Sequence, residues 1–306
     1  MTDRSQNLWG IDLGGTKVEG AILKSAQRPE VLFRDRLSTE ADKGYDHILG
    51  QIKKVVDKME AHAGYKPAQI GIATPGTLDP LLGTMKNCNS TALNGRPLKM
   101  DLEKLLGVKI AMANDANCFA LAEANMGVVQ DKYPNAKVVF GVIMGTGVGG
   151  GVVVDGKVIN GLQGIGGEWG HNFLDSSGPA CYCGKSGCVE GILSGPNLEK
   201  YYESISGSRK PLKEIYSSAV SNTDENAVKT MKRLAFFFGK AISVVVNILD
   251  PDVIVIGGGV GNIDLIYSEG VESLRKHVFN NRLDTPIVKP KLGDSAGVFG
   301  AAFLVA

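Results

Sequence analysis

The chain lacks an excess of either charge. Lys and Arg number 33 and Asp and Glu 32 among 306 residues, so the formal net charge is +1. Proteins that bind nucleic acid or anionic membranes through their charge have a basic surface, so neither partner is expected. Long hydrophobic runs are also missing, because the longest, 241–249, is too short to cross a bilayer. The first residues, MTDRSQN, do not resemble a secretory leader, and we expect a cytoplasmic protein.

Two common nucleotide motifs are absent as well. The first glycine turn lacks the GxGxxG spacing, and GxxxxGK[ST] does not occur. No stretch rich in Pro, Ser or charge divides the chain, so we expect two domains in close contact with a cleft between them. Strand patterns alternate with helical patterns, which predicts an α/β fold. The predicted strands are 69–73, 108–113, 137–144 and 252–256, and the predicted helices are 44–62, 115–127, 224–249, 295–304 and one starting at Asn262.

Glycine is abundant, with 40 residues, about twice the average share of roughly 7%. Residues 10–23 (GIDLGGTKVEGAIL) and 141–154 (GVIMGTGVGGGVVV) align so that Gly10, Gly14 and Gly20 fall on Gly141, Gly145 and Gly151. This internal similarity predicts two related halves. A tight hairpin without a ligand is an alternative explanation for each run. Two runs in register favour main-chain amides that hold phosphate, and the later run 257–259 follows a buried-strand pattern, as nucleotide-binding turns do.

Asp12 distinguishes the first turn from the second, where Ile143 stands. A carboxylate next to phosphates is repelled unless a cation lies between them, so Asp12 predicts Mg²⁺, held through water. We therefore predict a nucleotide-phosphate site formed by Asp12, Gly14, Gly15, Thr16, Lys17, Gly145, Thr146, Gly147, Gly149, Gly150, Gly257, Gly258 and Gly259.

Three of the five cysteines lie together. His171, Cys181, Cys183 and Cys188 fall within eighteen positions, and three thiolates with one imidazole form a typical structural zinc set. Reduced thiols without metal, or one disulfide with a spare thiol, are the alternatives. Glu168 and Glu190 flank the set, so the metal would also position two carboxylates.

Asp115 lies where a strand pattern ends and a helix pattern begins. It could simply cap the helix. Its position between the two glycine turns favours a catalytic base, because phosphoryl transfer to an alcohol needs one base near the hydroxyl. Nearby polar side chains would suit a polyol substrate, namely Asn89, Ser90, Asn94 and Asn114 together with Glu168 and Glu190.

Taken together, these segments resemble the ROK family of sugar kinases (repressor, open reading frame, kinase). The resemblance rests on DLGGTK, GIATPG at 71–76, NDANC at 114–118, GTGVGGG, GEWGH at 167–171, CYCGKSGCVE at 181–190 and the late GGG. It implies a two-domain actin-like (ribonuclease H-like) α/β fold with duplicated βββαβαβα halves. The expected domains are 1–117 with 293–306, and 118–292 with the zinc loop. Family members are often dimers, so a homodimer is a further expectation.

The resemblance also implies ATP-dependent phosphorylation of a hexose at its 6-hydroxyl, with Asp115 as base. Contacts to the sugar would come from Gly76, Asn89, Ser90, Asn94, Asn114, Asp115, Glu168, His171 and Glu190, with one His171 nitrogen for zinc and the other for the sugar. Within the family the chain looks most like bacterial fructokinases, so fructose is the expected substrate. N-acetylglucosamine, glucose and mannose are the alternatives.

Two other classes of function fit the sequence less well. A sugar-responsive repressor of the same family needs a DNA-reading helix-turn-helix, and only about eight residues precede the first strand. A non-catalytic sugar-binding protein would not require Asp12 and Asp115. We expect the protein to be neither a repressor nor a non-catalytic sugar-binding protein.

Overall fold

A computed structural model of the chain describes residues 6–306. It forms two compact units. The first contains the chain up to Pro134, together with Gly151–Gly167 and Lys291–Ala306, and the second contains Asn135–Gly150 and Glu168–Pro290. The units divide after residues 134, 150, 167 and 290, whereas the expected boundaries lay after 117 and before 293.

The first half of the chain follows the predicted order of elements. Its elements are β1 Leu8–Leu13, β2 Lys17–Leu23, β3 Val31–Ser38, α1 Tyr45–Ala63, β4 Gln69–Thr74, β5 Thr77–Leu78, β6 Met85–Lys86, α2 Leu98–Leu106, β7 Lys109–Asn114, α3 Asp115–Asn125 and α4 Val128–Lys132.

The second half repeats this order with more helices between its third and fourth strands. Its elements are β8 Val138–Met144, β9 Val148–Val154, β10 Lys157–Val158, α5 Val189–Leu193, α6 Gly195–Ser206, α7 Leu212–Val220, α8 Glu225–Leu249, β11 Val253–Gly257, α9 Glu269–Arg275, β12 Ile287–Val288 and α10 Ala296–Phe303.

The two five-stranded sheets have equivalent strand orders, β3-β2-β1-β4-β7 and β10-β9-β8-β11-β12. In each, the third strand of the half pairs antiparallel with the second, and the fourth strand pairs parallel with the first and the last. The division between the units falls within β9, after Gly150. The shared order confirms the two related halves predicted from the glycine turns and the duplicated βββαβαβα arrangement implied by the family resemblance.

Hydrophobic spacing explains the core of the first unit. Ile48, Ile52, Val55 and Met59 recur at helical intervals along α1 and are buried against the sheet. A Cβ on Gly20 of β2 would lie 2.5 Å from Val55 and 2.7 Å from Met59. This glycine therefore allows α1 to approach the strand closely. In the described part of the chain, no helix is both long and apolar enough to span a membrane.

One sequence prediction about a helix was wrong. The pattern from Asn262 forms two short 3₁₀ turns, Val260–Asn262 and Asp264–Ile266, and the α-helix starts only at Glu269. Ile263 separates the two turns with extended backbone, at φ -78° and ψ 111°, and this interrupts an α-helical ladder. The Tyr267 hydroxyl donates to the carbonyl of Gly261 at 2.8 Å.

Helix α10 packs against α3 at a distance that only glycine permits. A Cβ on Gly300 would lie 1.7 Å from the carbonyl oxygen of Cys118. Gly300→Ala is therefore expected to lower the free energy of unfolding by about 1–3 kcal/mol, as measured by urea denaturation. Gly50→Ala in α1 is the matched control, because a Cβ there meets nothing within 4 Å; it should stabilise by about 0.5–1 kcal/mol. Equal effects of the two variants would contradict this packing argument.

Candidate active site

The first glycine turn is closed by its own backbone. The Gly14 amide donates to the Lys17 carbonyl at 2.9 Å, which bends the chain between β1 and β2. Gly15 and Thr16 are exposed at the tip, so their amides and hydroxyl are accessible to a ligand. The turn thus has the form predicted for an anion-binding loop.

Thr39 supports this turn and was not identified from the sequence. Its amide donates to the Thr16 carbonyl at 2.9 Å and its hydroxyl donates to the Gly14 carbonyl at 2.7 Å. The side chain is 1% exposed. Thr39 follows β3 and lies far from the turn in sequence, so only the pairing of β2 with β3 reveals the contact.

Asp12 and Asp115 lie close enough to interact electrostatically. Burial, and secondly the charge of Asp115, raise the pKa of Asp12 to about 7. Lys17 acts in the opposite direction but does not cancel the rise. Burial also raises the pKa of Asp115, and hydrogen bonds from the backbone amides of Ala116 and of Asp115 itself offset part of this rise. Two carboxylates in this arrangement favour a bound cation, so the residues present fit the predicted Mg²⁺.

Asp115 does not cap helix α3. The cap is Asn114, whose side-chain oxygen accepts from the Asn117 amide at 2.8 Å. This finding removes the alternative interpretation of Asp115 as a helix cap. It also gives the buried Asn114 oxygen a structural role. The Asp115 carboxylate accepts the adjacent Ala116 amide at 2.7 Å and also a hydrogen bond from its own backbone amide.

The loop predicted to contact the sugar is braced by Asn94. Its amide group accepts from the Cys88 amide at 2.9 Å and donates to the Cys88 carbonyl at 3.1 Å. Ser90 lies next to the first turn, since its hydroxyl oxygen is 3.5 Å from a Cβ placed on Gly15. Asn89 is exposed. A Cβ on Gly76 would lie 2.5 Å from the Cys88 sulfur, so this glycine allows close packing of the loop.

The second glycine turn, in the second unit, is held by side chains that follow it in sequence. The Gly145 amide donates to the Gly147 carbonyl at 2.9 Å. Trp169 donates from its indole nitrogen to the Gly149 carbonyl at 2.9 Å, and a Cβ on Gly150 would lie 2.5 Å from the same ring. Thr146 is exposed at the tip. The turn after β9 has positive φ at Asp155 and Gly156, as in a two-residue hairpin turn.

Glu190 is bound directly to this turn. Its carboxylate accepts from the Val148 amide at 2.9 Å, and the same oxygen is 2.7 Å from a Cβ placed on Gly147. Glycine at 147 thus makes room for the carboxylate. Glu168 precedes the short 3₁₀ turn Trp169–His171.

The late glycine run reaches the same turn. A Cβ on Gly145 would be 4.0 Å from the Gly259 amide nitrogen. Gly258 has φ 83° and lies against Met144, where a Cβ would be 2.2 Å from the carbonyl oxygen. The positive φ and the close approach both require glycine. Two of the three glycine runs in the sequence therefore lie together within the second unit.

The thiol and imidazole set is assembled in the structure. The four ligand atoms of His171, Cys181, Cys183 and Cys188 lie within 4.8 Å of one another. His171 Nδ1 is 3.6 Å from Cys181 Sγ, and Cys183 Sγ is 3.6 Å from Cys188 Sγ. A disulfide requires about 2.0 Å between sulfurs, whereas two thiolates on one zinc lie roughly 3.8 Å apart.

His171 presents its two ring nitrogens to different partners. Nδ1 faces the thiols, and Nε2 lies 3.0 Å from the hydroxyl of Tyr182. Tyr182 stands between two of the cysteines and was not identified from the sequence. All five cysteines are free thiols. The donor set and its spacing fit zinc, with Nδ1 as the ligand.

Comparisons with known proteins agree with this architecture. The model of the ROK family matches residues 8–306. The N-acetyl-D-glucosamine kinase of Vibrio cholerae is 37% identical over 307 residues, covering 97% of this chain and 98% of the relative. The crystal structure of the ROK hexokinase from Thermus thermophilus is 30% identical, with a TM-score of 0.87, and the similarity covers 98% of this chain and 97% of that one.

A second solved structure is the ROK family glucokinase from Streptomyces griseus in complex with glucose and AMPPNP. It is 26% identical with a TM-score of 0.76, and the similarity covers 97% of this chain and 98% of that one. The predicted actin-like α/β fold is confirmed by these likenesses and by the matching sheets. The chain belongs to the ROK family.

Proposed function

We propose that the protein is an ATP-dependent sugar kinase that phosphorylates the 6-hydroxyl of a hexose, with N-acetylglucosamine as substrate. The observation that carries the choice of sugar is 37% identity to an N-acetyl-D-glucosamine kinase along nearly the whole of both chains. None of the relatives reported above is a fructokinase, so support moves from fructose to the alternative. A homodimer and a cytoplasmic location stay predictions.

Asp115 is the proposed base. One of its oxygens accepts the Ala116 amide, which fixes the carboxylate, and the side chain is exposed, so the carboxylate can take a hydroxyl proton. The raised pKa of Asp115 makes the carboxylate a stronger proton acceptor than an ordinary aspartate. Asn114 secures the position of Asp115 by capping the helix on which it lies.

Each glycine turn has an exposed tip whose amides and threonine hydroxyl, Thr16 in the first unit and Thr146 in the second, can bind phosphate. Bound Mg²⁺ would neutralise charge on the transferred phosphoryl group. Asp12 is the proposed holder of that ion. Zinc is proposed as a structural ion, because His171 and the three cysteines fill four positions and leave none for substrate. The sugar contacts proposed for Glu168 and His171 are in the segment that zinc would order.

The proposal is tested by a coupled assay with N-acetylglucosamine, fructose, glucose, mannose and N-acetylmannosamine. We expect N-acetylglucosamine to have a kcat/KM at least about tenfold above that of fructose, since a site built to hydrogen-bond an amide discriminates against sugars without one. Phosphorus NMR of the product should show the 6-phosphate. A higher kcat/KM for fructose would restore the original expectation, and ATP turnover with none of the sugars would refute the kinase.

As the pH is lowered, activity should be lost at a higher pH than ordinary carboxylates would cause. Asp12 has a pKa of about 7 and the pKa of Asp115 is raised, so both take up protons as pH falls through a range above the ordinary carboxyl value of about 4. A protonated Asp115 cannot accept the hydroxyl proton. The measurement is kcat/KM against pH, and more Mg²⁺ should move the acidic limb to lower pH. A limb near pH 4 would contradict the raised values.

A further inference from the structure

Glu19 is a fully buried carboxylate on β2, two residues after the first glycine turn. Its side chain has no exposed surface, while those of its partners Lys17 and Arg34 are 32% and 42% exposed. Arg34 Nε donates to Glu19 at 2.5 Å, Lys17 Nζ at 3.2 Å, and the hydroxyl of Ser295, at the start of α10, at 3.3 Å. A buried carboxylate is tolerated when it has several such donors.

Glu19 remains ionised in this environment. Burial raises its pKa, but the hydrogen bonds from Arg34 and Lys17 outweigh burial and hold the pKa below its ordinary value. The side chain therefore provides a permanent negative charge next to the phosphate turn.

Lys17 interacts with two carboxylates. It forms the ion pair with Glu19, and its charge also lowers the pKa of Asp12, which places its ammonium in the neighbourhood of Asp12. If Glu19 were neutral, Asp12 would be the one charged carboxylate of the two, and it would attract the Lys17 ammonium. An ammonium paired with Asp12 would compete with a metal ion for the same oxygens.

We propose that Glu19 is a positioning residue that holds the Lys17 ammonium beside the phosphate turn and away from Asp12, which leaves the Asp12 carboxylate open to Mg²⁺. The inference rests on the proposed function, because it takes the turn as the nucleotide site. A purely structural role would instead make Glu19 a core ion pair that joins β2, β3 and α10.

Glu19→Gln separates these roles, with Arg34→Gln as the matched control. Binding of AMP-PNP is measured by calorimetry at limiting and at saturating Mg²⁺. Glu19→Gln should weaken binding about tenfold at limiting Mg²⁺ and should approach the wild type at saturating Mg²⁺, because the ion then displaces Lys17 by mass action. Arg34→Gln removes the other cation of the same carboxylate and should change stability without changing the Mg²⁺ dependence.

Unchanged Mg²⁺ dependence in Glu19→Gln would overturn the proposal, as would an equal change in Arg34→Gln. If Glu19→Gln does not fold, Lys17→Gln is compared with the double variant Lys17→Gln/Glu19→Gln, which replaces the ion pair with neutral residues of similar shape. The two should have the same Mg²⁺ dependence because the competing ammonium is gone. A greater Mg²⁺ requirement in the double variant would overturn a role through Lys17.

The binding measurement also separates this inference from the proposed function. Wild-type protein that binds AMP-PNP with Mg²⁺ but phosphorylates no hexose would refute the sugar kinase and leave the role of Glu19 measurable. Wild-type protein that does not bind AMP-PNP would overturn both.

Discussion

Asp115→Asn is expected to lower kcat with the preferred hexose by about 10²-fold or more, with little change in KM. The substitution keeps an oxygen where Asp115 accepts the Ala116 amide, so the local backbone stays in place. It removes the negative charge that would take the hydroxyl proton. The loss should therefore fall on the chemical step, measured by steady-state kinetics at saturating ATP and Mg²⁺.

The matched control is Asp57→Asn, which neutralises an exposed aspartate of the first unit that is paired with Lys53 along α1. An exposed pair of this kind contributes little to stability, and kcat should stay near the wild-type value. Because Asn114 caps α3, the melting temperature of Asp115→Asn should also stay close to the wild type. Near-normal kcat in Asp115→Asn would refute the assigned base.

Removal of zinc should destabilise the second unit strongly. A ligand that binds only the folded state adds about 4 kcal/mol when its free concentration is a thousand times its dissociation constant, and chelation removes that contribution. We expect protein purified without chelator to contain zinc near one ion per chain. Addition of a strong chelator should lower the melting temperature and abolish kinase activity.

Cys183→Ala is the sharpest variant for this test. Its side chain is exposed, so loss of stability reports the metal and not packing. Ser186→Ala, an exposed residue of the same loop, is the control and should keep both zinc and stability. A Cys183→Ala protein with wild-type melting temperature and activity would show that the cluster is not a structural zinc site. Absence of zinc from the native protein would show the same.

Local sequence patterns predicted most of the elements. The helices α1, α3, α8 and α10 and the strands β4, β7, β8 and β11 lie within a few residues of their predicted ranges, because hydrophobic periodicity directly reflects which face is buried. The segment after Gly259 was the exception. Its periodicity favours a helix, but the backbone of Ile263 is extended between two 3₁₀ turns, and a break at one residue leaves no signal in periodicity.

The sequence by itself determined the duplicated halves, the glycine turns and the grouping of His171 with three cysteines, since each depends on residue types at short spacing. Tertiary structure alone decided which residue caps α3, and it showed that Glu190 binds the second turn and that Thr39 and Glu19 support the first. These roles come from contacts between strands, helices and loops that are distant along the chain or that could form in several ways locally. Which of these contacts forms depends on burial and hydrogen bonding in the folded sheet, and neither can be read from neighbouring residues alone.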